Sequence, residues 1–378
     1  MRIAVVRNRN NSGVLARFGP PCREVYGRHT VQSVVDALRR GGHQVSVLEG
    51  DMTLLPQLQA FMPASEVTGA PTGLVFNMSY GIQGEGRYSH VPGMLEMAGI
   101  PYTGSTPRAH GLCLDKVMTK LAVAWAGVLT PRFCSIRRAT DFNPELRFPL
   151  VVKPRYESTS LGLALVHESR ELEDAVESIV AEYQQDALVE EYIDGREVAI
   201  GLLGNDPVEV LPIVELDFGE RRVRIMTKPD KFHRTEDEPA KLCPAPLEAS
   251  LARDLRDLAR NVYRACGCRD YARIDIRLDA QNRPFVLEVN SMASLGQGGA
   301  YVRAAQTAGY SFDELVCRIV DHAHERYFGG PAARELNPEA ATDESWTEDA
   351  PEVARLYSDP AVGDGSESAL PAPGIGRG

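Results

Sequence analysis

Two short stretches pair charged and amide side chains at the spacing of a strand. Arg273-Ile-Asp275 lies in one apolar run, and Glu288-Val-Asn290 lies in the next, thirteen residues after Asp275. In each pair the members are i, i+2, so both face one side of an extended chain. Neighbouring hairpin strands would bring Asp275, Glu288 and Asn290 together as oxygen donors for a hard cation, and Mg²⁺ favours sites it shares with substrate phosphates. Two carboxylates and an amide on a common face need a cation or a basic side chain to neutralise them. A salt bridge from Arg273 to one carboxylate is the simpler alternative, and the residues alone leave both open.

Three further clusters carry polar chemistry. Pro149-Leu-Val-Val-Lys153-Pro154 delivers a lysine from a strand, and Glu157-Ser158-Thr159-Ser160-Leu161-Gly162 follows it. Small hydroxyl side chains, free N–H groups and a lysine suit a phosphate cradle, and they equally suit a plain hairpin with a surface lysine. Val189-Glu190-Glu191-Tyr192 ends a strand in acid, and Glu197 opens the next one after a turn. Carboxylates so placed can accept hydrogen bonds from ribose hydroxyls, or can form a solvated charged turn. Ser291-Met-Ala-Ser294-Leu-Gly296-Gln-Gly298-Gly299-Ala300 is a glycine-rich turn opening a helix, which makes either an anion nest or a flexible loop.

The elements that must hold these residues follow from periodicity. Ile3–Val6 reads as a buried strand, Thr30–Arg40 as a helix stopped by Gly41-Gly42, and Gln44–Leu48 and Gly73–Asn77 as strands. A helix at Val91–Ala98 and a short strand at Ile100–Tyr102 complete a β-α-β-α-β order, the pattern of a doubly wound parallel sheet. No GxGxxG follows the first strand, which counts against a dinucleotide oxidoreductase. Beyond it the pattern predicts a helix from about Leu114 to Ala126 and strands at Leu150–Lys153 and Leu163–Val166. A helix at Ser169–Tyr183 and strands at Ala187–Tyr192, Val198–Leu203 and Val208–Val214 follow. Helix Leu247–Cys266, strands Ala272–Asp279 and Pro284–Asn290, and helix Phe312–Tyr327 close the periodic part.

These clusters, in this order, resemble the D-alanine–D-alanine ligases of the ATP-grasp superfamily. Pro101-Tyr102-Thr103-Gly104-Ser105, Leu114-Asp115-Lys116 and Leu242-Cys243-Pro244-Ala245 fit the same pattern. The resemblance covers about residues 1–330. It implies an α/β and α+β chain with an N-terminal doubly wound α/β domain at 1–105 and two ATP-sandwiching α+β lobes. The central lid lobe would span 106–195 and the C-terminal lobe, with the metal site, 196–333. It further implies that Lys116 and Lys153 hold the ATP phosphates and that Glu190, beside Glu191, faces adenine. Glu197 would face ribose, and Lys231 would reach the γ-phosphate from a mobile loop. Asp275, Glu288 and Asn290 would bind Mg²⁺ or Mn²⁺, and Arg273 would steady the tetrahedral intermediate. Glu157, Ser158 and Ser160 lie on the loop that closes over the phosphates. Ser294, Gly298 and Gly299 belong to the acceptor loop.

The implied activity is ATP-dependent formation of a dipeptide through an acylphosphate, with amino-acid or dipeptide substrates and a homodimeric state. Departures fall on the amino-acid side. The family's N-terminal glutamate signature is replaced by the polar insert Arg7–Arg23, with Glu24 the nearest candidate for holding an ammonium. Phe232 stands where the mobile loop usually has tyrosine, and Gly299 stands where a serine usually binds the second substrate's carboxylate. These changes favour a specificity altered from D-Ala-D-Ala. A catalytically silent ATP-binding regulatory protein is the competing class, and the retained Arg273 argues against it.

Composition bounds the rest. The 378 residues, at about 100–200 per domain, allow two or three domains. Apolar residues make up 43% and charged residues 25%, with a net charge of −11 that speaks against nucleic acid as a partner. From Leu336 onward nine acidic residues face two basic ones, and residues 334–378 have the composition of a disordered acidic tail. Seven scattered cysteines without zinc spacing, and no apolar run of 18 residues, fit a reducing cytoplasm and no membrane span.

Overall fold

The computed structural model describes residues 1–9, 13–227, 230, 238–330 and 332. Lys231, Phe232 and the segment 334–378 lie outside them.

β1 (Arg2–Arg7), β2 (Gln44–Glu49) and β3 (Gly73–Met78) form a parallel sheet in the order β2-β1-β3. Parallel neighbours require crossovers, supplied by α1 (Arg28–Arg40) and by α2 (Leu54–Phe61), a helix the periodicity had not suggested. The strand alternation of β1 sends Ile3 and Val5 into one core and Ala4 and Val6 into another. Val31, Val34, Val35 and Leu38 of α1 cover the first face. Leu54 and Leu58 of α2, with Val91 and Leu95 of α3 (His90–Ala98), cover the second. The strand expected at Ile100–Tyr102 reduces to one parallel bridge between Val75 and Tyr102.

The helix expected from about Leu114 to Ala126 starts two residues later, and a helix the periodicity does not suggest precedes it. α4 (Pro107–Leu114) ends at Asp115, and α5 (Lys116–Trp125) begins there. Asp115 is extended, its carboxylate accepts from the N–H groups of Val117 and Met118, and Arg155 grips it at 2.8 and 2.6 Å. A side chain that caps N–H groups and holds a bidentate arginine favours a break over a continuing turn. His110 lies within α4 and is buried.

β4 (Phe133–Ile136), β5 (Leu150–Pro154), β6 (Ala164–Val166) and β7 (Ala187–Glu191) form an antiparallel sheet ordered β4-β7-β5-β6. α6 (Ser169–Tyr183) lays Leu172, Val176, Ile179 and Tyr183 on it, a stripe at helical spacing.

The third sheet is antiparallel. It runs β11 (Ala240–Leu242), β10 (Val214–Asp217), β8 (Arg196–Leu203), β12 (Tyr271–Leu278), β13 (Pro284–Asn290), with the short β9 (Glu209–Val210) on β8. The one strand expected at Val208–Val214 is broken between β9 and β10, where Pro212 has no N–H to donate to a ladder. One face of this sheet buries Val198, Ile200, Ala272 and Ile274 against Leu255, Ala259 and Val262 of α7 (Ala249–Ala265). The other face joins the core of the parallel sheet through Ala199, Leu203 and Tyr271. There Tyr301 of α8 (Ala300–Thr307) and Ile319 of α9 (Phe312–Phe328) fill the gap. No helix among the described residues is long and apolar enough to cross a membrane.

Candidate active site

β12 buries its even-numbered residues, so Arg273 and Asp275 project from the opposite face into a cavity of about 560 Å³. β13 pairs so that Glu288 lies opposite Asp275 and Asn290 opposite Arg273. The register shift after Asp275 places Ile276 opposite Val286 and leaves Leu287 as the extra residue. Arg273 donates to both oxygens of Asp275 at 2.7 Å, and the Asn290 amide donates to Asp275 Oδ2 at 2.9 Å. The salt bridge read from the sequence as the simpler alternative is present, and Glu288 and Asn290 lie beside it on the neighbouring strand. Among the described residues no three His, Cys, Asp or Glu side chains form a metal cluster. The donors present are two carboxylates and an amide, the hard-oxygen type that suits Mg²⁺ beside phosphate.

Across the cavity stand two lysines. Lys153 comes from β5 and Lys116 from the first turn of α5. Glu190 on β7 pairs with Lys153 at 2.5 Å and with Lys120 at 2.6 Å. Burial opposes every charge in this trio. It lowers the Lys120 ammonium to about 8, despite Glu190, and also lowers Lys116. Lys153 is held above its ordinary value because Glu190 and Glu288 outweigh its burial. Glu190 falls below the usual carboxylate range because Lys120 and Lys153 outweigh its own. Lys120 was not among the sequence candidates. Its signal was available, four residues after Lys116 on one helix face.

The loop after β5 closes one side. Thr159 and Ser160 have φ values of 53° and 57°, left-handed conformations that cost non-glycine residues about 1–2 kcal/mol each. Lys116 donates to the Glu157 carbonyl, and Ser160 Oγ donates to the Met226 carbonyl at 2.7 Å. Glu157, Ser158 and Ser160 line the cavity. Glu191 and Glu197 line it as well, and Glu197 lies 3.6 Å from Arg277, a buried arginine stacked 4.8 Å over the Tyr192 ring. Opposite, Ser294, Gly298 and Gly299 form the turn before α8, where no side chain caps the helix.

Glu24 is placed differently. It is buried, it accepts from Arg87, Tyr88 and Ser158, and it is not one of the residues that line the cavity. Tyr80 and Tyr88 line that end instead, with Tyr26 stacked on Tyr80 at 4.7 Å. His110, neutral through burial that lowers it to about 4, bonds the Ser291 hydroxyl at 2.8 Å and steadies the start of the glycine-rich turn.

Comparison with known proteins follows the same lines. A family model described as the D-ala D-ala ligase C-terminus matches residues 122–321. An uncharacterized protein of Sinorhizobium fredii, y4sG, is 52% identical over 334 residues, 87% of this chain and 98% of its own length. The D-alanine–D-alanine ligase of Cupriavidus necator is 33% identical over 269 residues, 70% of this chain and 79% of its own. The crystal structure of a Bacillus anthracis D-alanine–D-alanine ligase complexed with ATP superposes with a TM-score of 0.66, covering 86% of this chain and 98% of that one. Its identity is 22%, so this likeness speaks to the fold.

Proposed function

The chain belongs to the D-alanine–D-alanine ligase family and has its ATP-grasp fold, and from this premise we propose that the cavity binds ATP and joins one substrate's carboxyl group to another's amine. It is an ATP-grasp ligase that forms peptide bonds. A carboxylate is a poor electrophile, because its leaving group would be oxide. Transfer of the γ-phosphoryl group gives an acylphosphate with a good leaving group, and catalysis of that transfer is mostly positioning and charge neutralisation.

Lys116 and Lys153 hold the phosphates in this reading, under the hydroxyl-rich loop of Ser158 and Ser160, with Lys231 assigned to the γ-phosphate by family pattern alone. Glu190 fixes Lys153 and stands at the adenine end beside Glu191, and Glu197 is the acceptor for ribose hydroxyls. Asp275, Glu288 and Asn290 would hold Mg²⁺ or Mn²⁺, which supplies positive charge beside the transferring phosphoryl group. Arg273 stabilises the oxyanion as the amine attacks. Ser294, Gly298 and Gly299 border the acceptor amino acid or dipeptide. The two lobes at 106–195 and 196–333 would close on ATP and exclude water, since a wet site would hydrolyse the acylphosphate.

The observation that carries the reading is the meeting, in one cavity, of lysines from β5 and α5 with the carboxylate–amide set of β12 and β13. Its test is amine-dependent ADP release by the purified full chain. Glu288→Ala should lower turnover by at least about a hundredfold while melting is retained, since a displaced catalytic cation costs several kcal/mol. Near wild-type turnover in that variant would remove the metal assignment. ATP binding with no ADP release at any amine concentration would favour the silent regulatory protein.

A further inference from the structure

We propose that Arg87 is a positioning residue: it latches the loop 156–162 onto the N-terminal side of the cavity, and in doing so it engages Glu24, which then acts through Ser158 and Tyr88 rather than on substrate. The consequence for catalysis rests on the ligase reading above. The latch itself rests on geometry.

Arg87 opens a short 3₁₀ turn before α3 and its side chain is 2% exposed. Its Nη2 donates to Glu24 Oε1 at 2.8 Å and to the Tyr156 carbonyl at 2.7 Å, and it lies 3.3 Å from Glu157 Oε2. The other oxygen of Glu24 accepts from the Tyr88 hydroxyl at 2.6 Å and from Ser158 Oγ. Gln185 Nε2 meets the remaining oxygen of Glu157 at 3.0 Å. Three successive loop residues, Tyr156, Glu157 and Ser158, are thus tied to Arg87 and Glu24, which precede them by 69 or more residues. A neighbouring tie, Arg23 to Glu182 at 2.7 Å, is half exposed and correspondingly weak. Burial works against the Arg87 charge, but Glu24 and Glu157 overcome it, so the guanidinium stays protonated.

The loop needs such a tie. It carries two left-handed residues without glycine's freedom, and strained backbone persists only where its surroundings hold it. It also carries the carbonyl that accepts from Lys116, so its displacement moves a lysine assigned to phosphate. Arg87 and Glu24 do not line the cavity, whereas Tyr88, Glu157 and Ser158 do. The two buried groups therefore reach a bound molecule only through those three.

The test compares wild type with Arg87→Met, Arg87→Lys and the double variant Arg87→Met/Glu24→Gln, each as the full chain. The double variant guards against misfolding, because methionine alone leaves the buried Glu24 and Glu157 carboxylates without the arginine they share. The primary readout is amide hydrogen exchange of the peptide spanning 156–162, which needs no turnover. In the methionine variants it should accelerate at least about tenfold while the cores of α6 and β12 keep their protection. Arg87→Lys, whose ammonium offers three donors, should stay within about threefold of wild type. In amine-dependent ADP release the methionine variants should raise the KM for ATP about tenfold and lower kcat, and lysine should rescue both. Wild-type exchange at 156–162 in the double variant, or equal exchange in the lysine and methionine variants, would overturn the latch. A wild-type protein that releases no ADP would overturn the ligase reading and leave the exchange result standing.

Discussion

Gly299 has no backbone reason to be glycine. Its φ of −77° and ψ of 154° are extended values open to any residue, and an added Cβ would stand 3.0 Å from the Gly296 carbonyl. That contact is tight, and a side chain here needs the Gly296 carbonyl to give by a few tenths of an ångström. The missing hydroxyl therefore bears on the ligand. Gly299→Ser should lower the KM for D-alanine as second substrate by about ten- to a hundredfold, the worth of one hydrogen bond to a charged group. Steady-state kinetics with D-alanine, ATP and Mg²⁺ check this. An unchanged KM would mean that the N–H groups of 296–299 already hold the acceptor's carboxylate and that Gly299 does not alter the specificity. Gly299 was legible because its motif is continuous in the chain, and Asp275, Glu288 and Asn290 were legible because strand alternation is local. Arg87 was not, because its partners Glu24 and Glu157 lie 63 and 70 residues away, and nothing near it marks a turn arginine as buried.

α5 carries two lysines, and one of them pairs with Glu190. Lys116 reaches the cavity, while Lys120, one turn on, is fully buried between Glu190 and the Thr130 hydroxyl at 2.8 Å. With its proton lost near pH 8, Lys120 leaves Glu190 to draw on Lys153 alone. The net positive charge facing ATP then falls as pH rises, so the KM for ATP should be flat between about pH 6.5 and 7.5 and should climb above about 8. In Lys120→Arg, whose guanidinium does not titrate in this range, the climb should vanish. An identical climb in that variant would place the titration on another group. The element itself was half legible. Periodicity found this helix, missed α4, and began at Leu114 across Asp115, because apolar spacing cannot register a carboxylate pulled aside by Arg155, 40 residues later. The bounds of α6 were read from the sequence as they stand, because its apolar stripe is local. The break at Pro212 was overridden by the apolar run around it, although the missing N–H was there to be read.

Tyr80 and Tyr88 bring the parallel-sheet side to the cavity and Arg273 and Asp275 bring the third sheet, so the spacing of these walls depends on what joins those two parts behind it. Part of the joint is apolar, where Ile3, Val5, Val34 and Leu38 share a core with Tyr301, Leu315 and Ile319. The other part is one carboxylate. Asp270 is fully buried in a left-handed turn, and it accepts from the Gly104 N–H at 2.8 Å, from Asn205 at 3.0 Å and from Arg326 of α9 at 2.8 Å. Three segments far apart in the chain meet on it, which no periodicity could have announced. Removing one member of a buried ion pair strands the other, at a cost of about 3–5 kcal/mol. Asp270→Ala should lose that much in urea unfolding, whereas Asp270→Asn, which tolerates the left-handed turn and keeps acceptors for Gly104 and Asn205, should lose less. In the folded fraction of either variant the KM for ATP should hold, because Asp270 does not line the cavity. A cost below about 1 kcal/mol for alanine would assign the joint to the shared apolar core alone. A full cost accompanied by a raised KM would show that the carboxylate also sets the distance at which Tyr80 and Tyr88 face Asp275.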